Sequence, residues 1–339
     1  MEAILLLAHT EPDGSLAKPA LEALAAAKGL GGELMVGLVG GATQAAADQI
    51  AGCGAVRFLA VTGPAFAEPR YSTDAAAAEA LCRAAGAPLV IAPATSRWAR
   101  ALPGVAYRLG GRVDTHATNI AVAGGGPVVT RWFYRQRMEA TLTRTGRPWV
   151  VLLEAGCGAA WSGAAGAAAV EAVAVEAPPT RTTVTGVQAP QADEQTIRPD
   201  AKLLFVAGAG WTKKQADGAT HVAEAESLIL GFLRAAKASL GGSKSLVDLS
   251  GEGEAVLRFM THMNQIGQTG ATPRHPKGLS ACCHGEEPHV VGWRFVNQRR
   301  AINLDPNCGW ARGKADVLYV ADAFEVMRHV NRLLGAPVG

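Results

Sequence analysis

One segment late in the chain gathers residue types that bind metal ions. Cys282–His289 holds two cysteines, two histidines and two glutamates within eight residues. Thiolate, imidazole and carboxylate groups are ligands of zinc and iron, so a metal-binding module is one hypothesis. Against it, adjacent cysteines rarely bind the same zinc ion, and no second Cys or His pair stands at zinc-finger spacing. The residues therefore predict no metal site, and elemental analysis for zinc or iron would test for one.

A glycine-bracketed segment before it suits contact with a flat ligand. Residues 267–270 read Gly-Gln-Thr-Gly. The glycines let the backbone approach a ligand closely, while Gln268 and Thr269 offer an amide and a hydroxyl group. The alternative is an ordinary glycine turn.

Two further glycines follow an apolar run typical of a buried strand. Gly208 and Gly210 come just after Lys202–Val206. A turn of this kind can present backbone N–H groups to a phosphate. The third glycine of the dinucleotide-binding fingerprint is absent, so a simple tight turn is the alternative.

Two polar residues stand at the ends of predicted strands. Asn303 lies in the run Ala301–Leu304, and Asp316 precedes the run Val317–Val320. Ligands of open α/β sheets bind at strand ends, although each residue is equally suited to capping a turn. No Ser/His/Asp or Cys/His arrangement forces a catalytic interpretation.

The elements that must position these residues alternate between strand and helix in the first half of the chain. The predicted strands are Ile4–His9, Glu33–Val39, Val56–Val61 and Pro88–Ala92. The predicted helices are Leu16–Leu30, Thr43–Ala51 and Ser72–Ala85, the last with Ser72 or Thr73 as N-cap. After residue 112 the pattern becomes rich in strands: Val113–Val122, Pro127–Arg135, Arg137–Arg144, Pro148–Leu153 and Val170–Val175. Apolar strands covered by helices indicate a mainly parallel sheet.

The second half repeats this alternation after a polar, proline-containing linker at Glu176–Asp200. The predicted strands are Lys202–Val206, Ser245–Leu249, Gly278–Cys282, Ala301–Leu304 and Val317–Val320, with helices at Ala219–Leu240 and Asp322–Leu334. We therefore predict an α/β protein of two domains, residues 1–176 and 201–339, each a mainly parallel sheet flanked by helices. The C-terminal domain is expected to be Rossmann-like.

Composition narrows the class of protein. The chain has 339 residues, of which 49% are hydrophobic and 18% charged, so it can bury a substantial core and is not disordered. Its net charge of +3 gives no reason to expect nucleic acid or membrane as a partner. The six cysteines show no CxxC spacing, and the apolar run Ala3–Ala8 is too short for a signal peptide. We expect a soluble cytoplasmic protein.

The order and spacing of these segments resemble the alpha subunit of electron-transfer flavoproteins. In the second half the matching series is Gly208-x-Gly210, Gly242-Ser243 before Val247-Asp248, the Gly-Gln-Thr-Gly segment, the loop with Gly285 and His289, Ala301–Pro306, and Ala315-Asp316. In the first half the matches are the opening strand, Gly14–Ala20, Leu30–Glu33 and Ala92–Thr95. The resemblance spans nearly the whole chain.

This resemblance implies an electron carrier without a substrate of its own. FAD would be held mainly by the C-terminal domain, and a beta subunit would complete the site. The N-terminal domain would have a nucleotide-binding-like fold and contact that partner. Electrons would pass from a flavin-dependent dehydrogenase to a downstream acceptor.

The resemblance also implies a set of cofactor-binding residues: Gly208, Ser243, Lys244, Ile266, Gly267, Gln268, Thr269, His284, Gly285, Glu286, His289, Asn303 and Asp316. Ser243 and residues 266–269 would touch the flavin end of FAD. The loop with Gly285 and His289 would wrap the isoalloxazine. Asn303 and Asp316 would hold the adenosine side.

The chain departs from the family pattern at charged positions. Ala209 stands where the family usually has arginine, and Lys244 replaces a second arginine, so an ammonium group takes the place of a planar guanidinium. Glu286 and Glu287 add two carboxylates, and Glu254–Met263 looks like a helical insert. These changes keep an alternative open: a degenerate adenine-nucleotide-binding or scaffold subunit without redox activity.

Overall fold

A computed structural model describes residues 2–133, 138–186, 197–198, 201–248, 256–266, 275–281, 296–308, 311–312 and 315–336. The chain divides into two compact units, residues 1–187 and 188–339. The predicted linker spans this division, and the finer domain boundaries at 176 and 201 stay predictions. Among the described residues, no helix is long and apolar enough to cross a membrane.

The first unit is built on one large, mainly parallel sheet. Its strands are β1 Ile4–His9, β2 Leu34–Gly40, β3 Arg57–Thr62, β4 Leu89–Pro93, β5 Arg112–Ala123, β6 Gly126–Phe133, β7 Met138–Leu142, β8 Trp149–Leu153 and β9 Val170–Ala172. Their order in the sheet is β7-β6-β5-β8-β4-β1-β2-β3-β9. Only the pairs β5–β6 and β6–β7 are antiparallel among these described strands. The strand order reverses between β1 and β4, as in doubly wound folds.

Helices cover both faces of this sheet. They are α1 Lys18–Gly29, α2 Gln44–Gln49, α3 Pro64–Ala67, α4 Tyr71–Ala85 and α5 Ser96–Arg108. Alternate residues of β1 belong to two separate apolar cores, with Leu6 packed on one face and Leu5 and Leu7 on the other. Burial on both faces explains why these strands read as continuous apolar runs.

A buried carboxylate joins the antiparallel strands to the parallel part of the sheet. Asp114 is fully buried and accepts hydrogen bonds from Arg131 Nη1 and Arg144 Nη2 at 2.8 Å, and from Trp149 Nε1 at 2.9 Å. Burial raises its pKa, but the hydrogen bonds from Arg144, Trp149 and Arg131 outweigh that effect and lower it below the ordinary value. Asp114 is therefore charged in the folded protein at neutral pH.

The second unit contains a smaller sheet, whose described strands all pair in parallel, together with helices. Its strands are β10 Leu203–Ala207, β11 Ser239–Gly242, β12 His275–Ala281, β13 Val296–Asn303 and β14 Val317–Val320, in the order β11-β10-β12-β13-β14. Its helices are α6 Val222–Ala236, α7 Lys244–Asp248 and α8 Ala323–Leu334. The prediction of an α/β protein with mainly parallel sheets flanked by helices is confirmed.

The prediction of a strand at Ser245–Leu249 is wrong. Residues 244–248 form helix α7, and Leu249 lies outside the described residues. The Ser243 hydroxyl oxygen accepts the N–H of Leu246 at 3.2 Å, which is an N-cap contact that starts a helix. The strand lies earlier, at Ser239–Gly242, and its first two residues overlap the end of the predicted helix Ala219–Leu240.

Other boundaries differ for local reasons. Helix α6 ends at Ala236 because Lys237 takes a left-handed conformation with φ of 49°. Helix α4 begins at Tyr71, and neither Ser72 nor Thr73 is its N-cap; that residue is Arg70. The predicted insert Glu254–Met263 is not an α-helix in its described part, which holds a turn and the start of the 3-10 turn His262–Asn264.

Helix α5 was not predicted. It begins after Thr95, whose hydroxyl oxygen accepts the N–H of Trp98 at 3.3 Å. Pro103 lies inside the helix, and because proline is disfavoured in helix interiors, the segment was not recognised as helical.

Candidate functional site

The carboxyl ends of the second unit's strands bring several predicted residues to one edge. Strands β10 and β12 are neighbours, with Ala207 opposite Ala281 in register, and the strand order reverses between them. In open parallel sheets the crevice at such a reversal is where ligands bind. Gly208, Ser243 and Asn303 all stand at this edge, directly after or at the end of their strands.

Ser243 and Ile266 are held against the end of β11. The N–H of Ser243 donates to the carbonyl oxygen of Ala207 at 3.0 Å, and Ser243 is 1% exposed. The N–H of Ile266 donates to the carbonyl oxygen of Gly242 at 3.1 Å, and Ile266 is fully buried. Because Gln265 also forms a parallel bridge with Gly242, the chain that leads into the Gly-Gln-Thr-Gly segment runs beside β11.

The glycines of β11 allow this close approach. A Cβ atom on Gly241 would lie 2.8 Å from Cγ2 of Ile266, which is too close for a real contact. A Cβ atom on Gly242 would lie 2.2 Å from Cε of Met260, the end of a flexible side chain. Gly241 is therefore the position at which a side chain would displace the segment entering residue 267.

The predicted phosphate turn is closed by internal contacts. Gly208 N–H donates to the carbonyl oxygen of Ala281 at 3.0 Å, and residues 209–212 form a buried 3-10 turn. This amide is therefore already bonded and is not free for a phosphate. Of the predicted contacts at this edge, it is the one that fits a nucleotide least well.

Asn303 carries an unused hydrogen-bond donor. Its Oδ1 accepts the N–H of Asp305 at 2.9 Å, and its carbonyl oxygen accepts the N–H of Ala321 at 3.2 Å. Its Nδ2 is buried without a hydrogen-bond partner, and the residue is 1% exposed. A buried donor left unpaired costs about 1–3 kcal/mol, so a ligand acceptor here would remove a real penalty.

Asp316 does not lie with Asn303. It precedes β14, and its carboxylate accepts Arg299 N–H at 2.7 Å and Arg299 Nη2 at 3.0 Å. These hydrogen bonds from Arg299 lower the pKa of Asp316. Arg299 is four residues before Asn303 on β13, which places Asp316 about 13 Å away at the amino edge of the sheet.

Several predicted residues lie outside the described residues: Gly267, Gln268, Thr269, His284, Gly285, Glu286 and His289. Lys244 begins helix α7, and its side chain also lies outside the described part. Cys282 and Cys283 of the metal hypothesis fall there as well. Within the described ranges, no group of three or more His, Cys, Asp or Glu side chains could hold a metal ion.

Two residues at this edge were not singled out from the sequence. Trp211 donates its indole N–H to the carbonyl oxygen of Ala281, a contact that no local sequence pattern indicates. Asp322 follows β14 and caps helix α8, where its carboxylate accepts Glu325 N–H at 3.0 Å. Its place just after a strand was a usable signal, because carboxyl ends share one edge of a parallel sheet.

A separate cavity of about 630 Å³ opens on the same sheet. Its described lining is mostly apolar, with Lys277 and Arg300 among it, and it includes none of the predicted cofactor-binding residues. The strand reversal and the unpartnered donor of Asn303 instead select the carboxyl edge.

The first unit has its own polar cluster at the carboxyl end of β1. His9 Nε2 lies 3.1 Å from the Thr95 hydroxyl, and burial together with the nearby Arg97 lowers the pKa of His9. Arg97 pairs with the fully buried Asp74, with Nε donating to Oδ1 at 2.9 Å. The cluster ties β1 to helices α4 and α5, which carry Asp74 and Arg97.

Comparison with protein families identifies the first unit. A family model described as the electron transfer flavoprotein domain matches residues 4–179, which is more than half of the chain. The chain belongs to the electron transfer flavoprotein family. No curated protein matches the chain. The family resemblance found in the sequence is confirmed, while its assignment to the alpha subunit stays a prediction.

Electron transfer flavoproteins carry electrons, and a flavin nucleotide would need hydrogen-bond partners at the carboxyl edge of this chain's second sheet. The buried, unpaired Nδ2 of Asn303 fits such a ligand, whereas the space at Gly241 is filled by the side chain of Ile266. The bonded amide of Gly208 does not fit such a ligand. The family match ends before the second unit, so the residues of this edge lie outside it.

Proposed function

We propose that the chain is the alpha subunit of a heterodimeric electron-transfer flavoprotein that binds FAD at the carboxyl edge of its second sheet. Ser243, Ile266 and Asn303 would hold the cofactor there, with Gly267, Gln268, Thr269, Gly285 and His289 on the chain that follows. Bound FAD would supply the capacity to accept and release electrons. Membership in the family supports the role, and the unpartnered buried donor of Asn303 carries the choice of site.

The proposal includes partners and a location. A beta subunit would cover the part of the cofactor that the second unit leaves open. A flavin-dependent dehydrogenase would deliver electrons, and a downstream acceptor would remove them, in the cytoplasm. Asn303 would donate to an acceptor atom of the adenosine portion, because its other side-chain atom is occupied by Asp305.

An anaerobic reduction assay tests this function. The chain is co-expressed with the beta-type subunit of the same genome, and the complex is mixed with a flavin-dependent dehydrogenase and its substrate. We expect the flavin absorbance of the complex to bleach at a rate set by the dehydrogenase. A complex that holds FAD but is reduced by dithionite and by no such dehydrogenase would contradict an electron-carrier role.

A second candidate is a nucleotide-binding or scaffold subunit without redox activity. The closed turn at Gly208 favours it, because that amide is bonded to Ala281 and Ala209 brings no cation. This candidate predicts a colourless complex that retains an adenine nucleotide. Chromatography of the acid-released ligand separates the two candidates.

A further inference from the structure

The indole of Trp211 links the carboxyl ends of β10 and β12 in the second sheet. Trp211 is fully buried in the 3-10 turn Ala209–Thr212 that follows β10. Its Nε1–H donates to the carbonyl oxygen of Ala281, the last residue of β12, at 3.1 Å. The N–H of Gly208 donates to the same oxygen at 3.0 Å. Since a carbonyl oxygen has two lone pairs, these two donors complete its hydrogen bonding.

This oxygen lies at the place where the strand order reverses. Ala281 and its register partner Ala207 are the carboxyl ends of β12 and β10. The crevice of an open parallel sheet begins between two such ends. The indole bond adds a side-chain link between the turn after β10 and the end of β12, so it fixes their separation.

The ring of Trp211 extends the same link to a third strand end. Its centroid lies 4.7 Å from that of Phe324, with the rings at 61°, which is an edge-on aromatic contact. Phe324 is the second residue of helix α8, whose cap Asp322 follows β14. Trp211 thus contacts both the carbonyl group at the end of β12 and the helix that follows β14.

A second tryptophan in this chain shows that burial alone does not require a bonded indole N–H. Trp98 in the first unit is also fully buried, and its Nε1 has no hydrogen-bond partner. The bond from Trp211 to Ala281 is a specific link between the turn after β10 and the end of β12.

We propose that Trp211 is a positioning residue for the cofactor. It holds the carboxyl ends of β10, β12 and β14 at the spacing at which FAD binds between them. The inference rests on the proposed function, which it deepens by naming what sets the geometry of the site. Trp211 itself need not touch FAD.

Trp211→Phe in the complex with the beta-type subunit is the test, with Trp98→Phe as the matched control. Trp211→Phe removes the N–H and keeps an aromatic ring. Three quantities are measured: hydrogen exchange of the Gly208 amide without added FAD, the FAD dissociation constant, and the visible circular dichroism of the bound flavin. Phe324→Leu tests the same link from helix α8 should Trp211→Phe not yield folded complex.

We expect Trp211→Phe to speed exchange at Gly208, to raise the FAD dissociation constant about five- to tenfold, and to alter the flavin circular dichroism. Trp98→Phe should leave all three unchanged. Normal FAD affinity and an unchanged flavin spectrum in Trp211→Phe would overturn the inference, even if the variant were less stable. If the wild-type complex binds no FAD, the proposed function fails. The exchange measurement then tests by itself whether Trp211 fixes the strand ends, and exchange at Gly208 that is unchanged in Trp211→Phe overturns the inference.

Discussion

The backbone N–H of Ile266 donates to the carbonyl oxygen of Gly242 at 3.1 Å, and this bond ties the approach to the Gly-Gln-Thr-Gly segment to the end of β11. Ile266 is fully buried, and its side chain packs where Gly241 has none. The position of the segment thus depends on a glycine from another part of the chain.

Gly241→Ala is expected to reduce FAD retention and stability together. The new Cβ would lie 2.8 Å from Cγ2 of Ile266, a methyl group on a β-branched, fully buried side chain that shifts only at a cost. Overpacking of this kind costs about 1–3 kcal/mol, so the free energy of unfolding should fall by about that amount. Urea unfolding and the flavin content of the purified complex measure the two effects.

Gly242→Ala is the matched control. Its Cβ would meet Cε of Met260, which can change rotamer at little cost. Equal losses of flavin in Gly241→Ala and Gly242→Ala would mean that contact with Ile266 is not what matters.

Asn303→Asp should weaken FAD binding. The carboxylate keeps an acceptor for the N–H of Asp305 but removes the donor Nδ2. Loss of one hydrogen bond to a buried partner corresponds to about 1–3 kcal/mol, so we expect the dissociation constant to rise at least about fivefold. Equilibrium titration of the apo complex with FAD, followed by flavin fluorescence, measures it.

Asp316→Asn provides the comparison for that titration. It weakens the pair with Arg299 at the amino edge, about 13 Å from Asn303. We expect FAD affinity to change less than in Asn303→Asp. A larger loss in Asp316→Asn would restore Asp316 to the cofactor site.

Asp114→Asn should destabilise the first unit. The buried carboxylate accepts hydrogen bonds from Arg131, Arg144 and Trp149, and removing its charge leaves two guanidinium groups without a counterion. We expect the free energy of unfolding at neutral pH to fall by about 3 kcal/mol. Urea unfolding followed by circular dichroism checks the value.

The same variant has a defined pH dependence. The pKa of Asp114 is lower in the folded state than its ordinary value of 3.8, so its contribution is present above that pH and is lost as the pH falls below it. The difference between wild type and Asp114→Asn should therefore shrink in acid. A difference that stays constant down to about pH 3 would contradict a charged, paired Asp114.

His9 should make the first unit less stable in mild acid. Its pKa in the folded state is below the ordinary value of 6.5, first because of burial and then because of Arg97. The unfolded chain therefore binds a proton more readily, and the free energy of unfolding falls as the pH drops through about 6.5. His9→Gln should flatten this slope between about pH 7.5 and about pH 5.5, as measured by urea unfolding. Identical slopes would show that His9 does not titrate there.

Much of the fold could be predicted because its strands are buried on both faces. Ile4–His9 was predicted with the bounds that the structure has, since continuous apolar runs are typical of buried parallel strands. Val317–Val320 was also predicted with the right bounds, although this strand is last in the sheet order and is largely exposed. The strand Ser239–Gly242 was missed because its two glycines and its position after a helical pattern gave no strand signal. Its stability comes from pairing with β10, which sequence periodicity does not report.

The edge of the sheet at which a residue lies could be predicted from whether that residue precedes or ends a strand. Asn303 ends a strand and stands at the carboxyl edge, whereas Asp316 precedes one and stands at the amino edge, a distinction that chain order already contained. The bond between Trp211 and Ala281 joins residues 70 positions apart. It depends on the register of β10 and β12, so no local pattern could have indicated it.

The flavin content of the complex with its beta-type subunit tests the central claim most directly. The complex is purified, its ligands are released with acid, and FAD and adenine nucleotides are quantified by chromatography against protein concentration. We predict that the wild-type complex binds FAD and that Gly241→Ala and Asn303→Asp each retain less FAD than wild type at equal protein concentration. A soluble complex that contains no flavin, or one that keeps full FAD in both variants, would contradict a cofactor site at this edge.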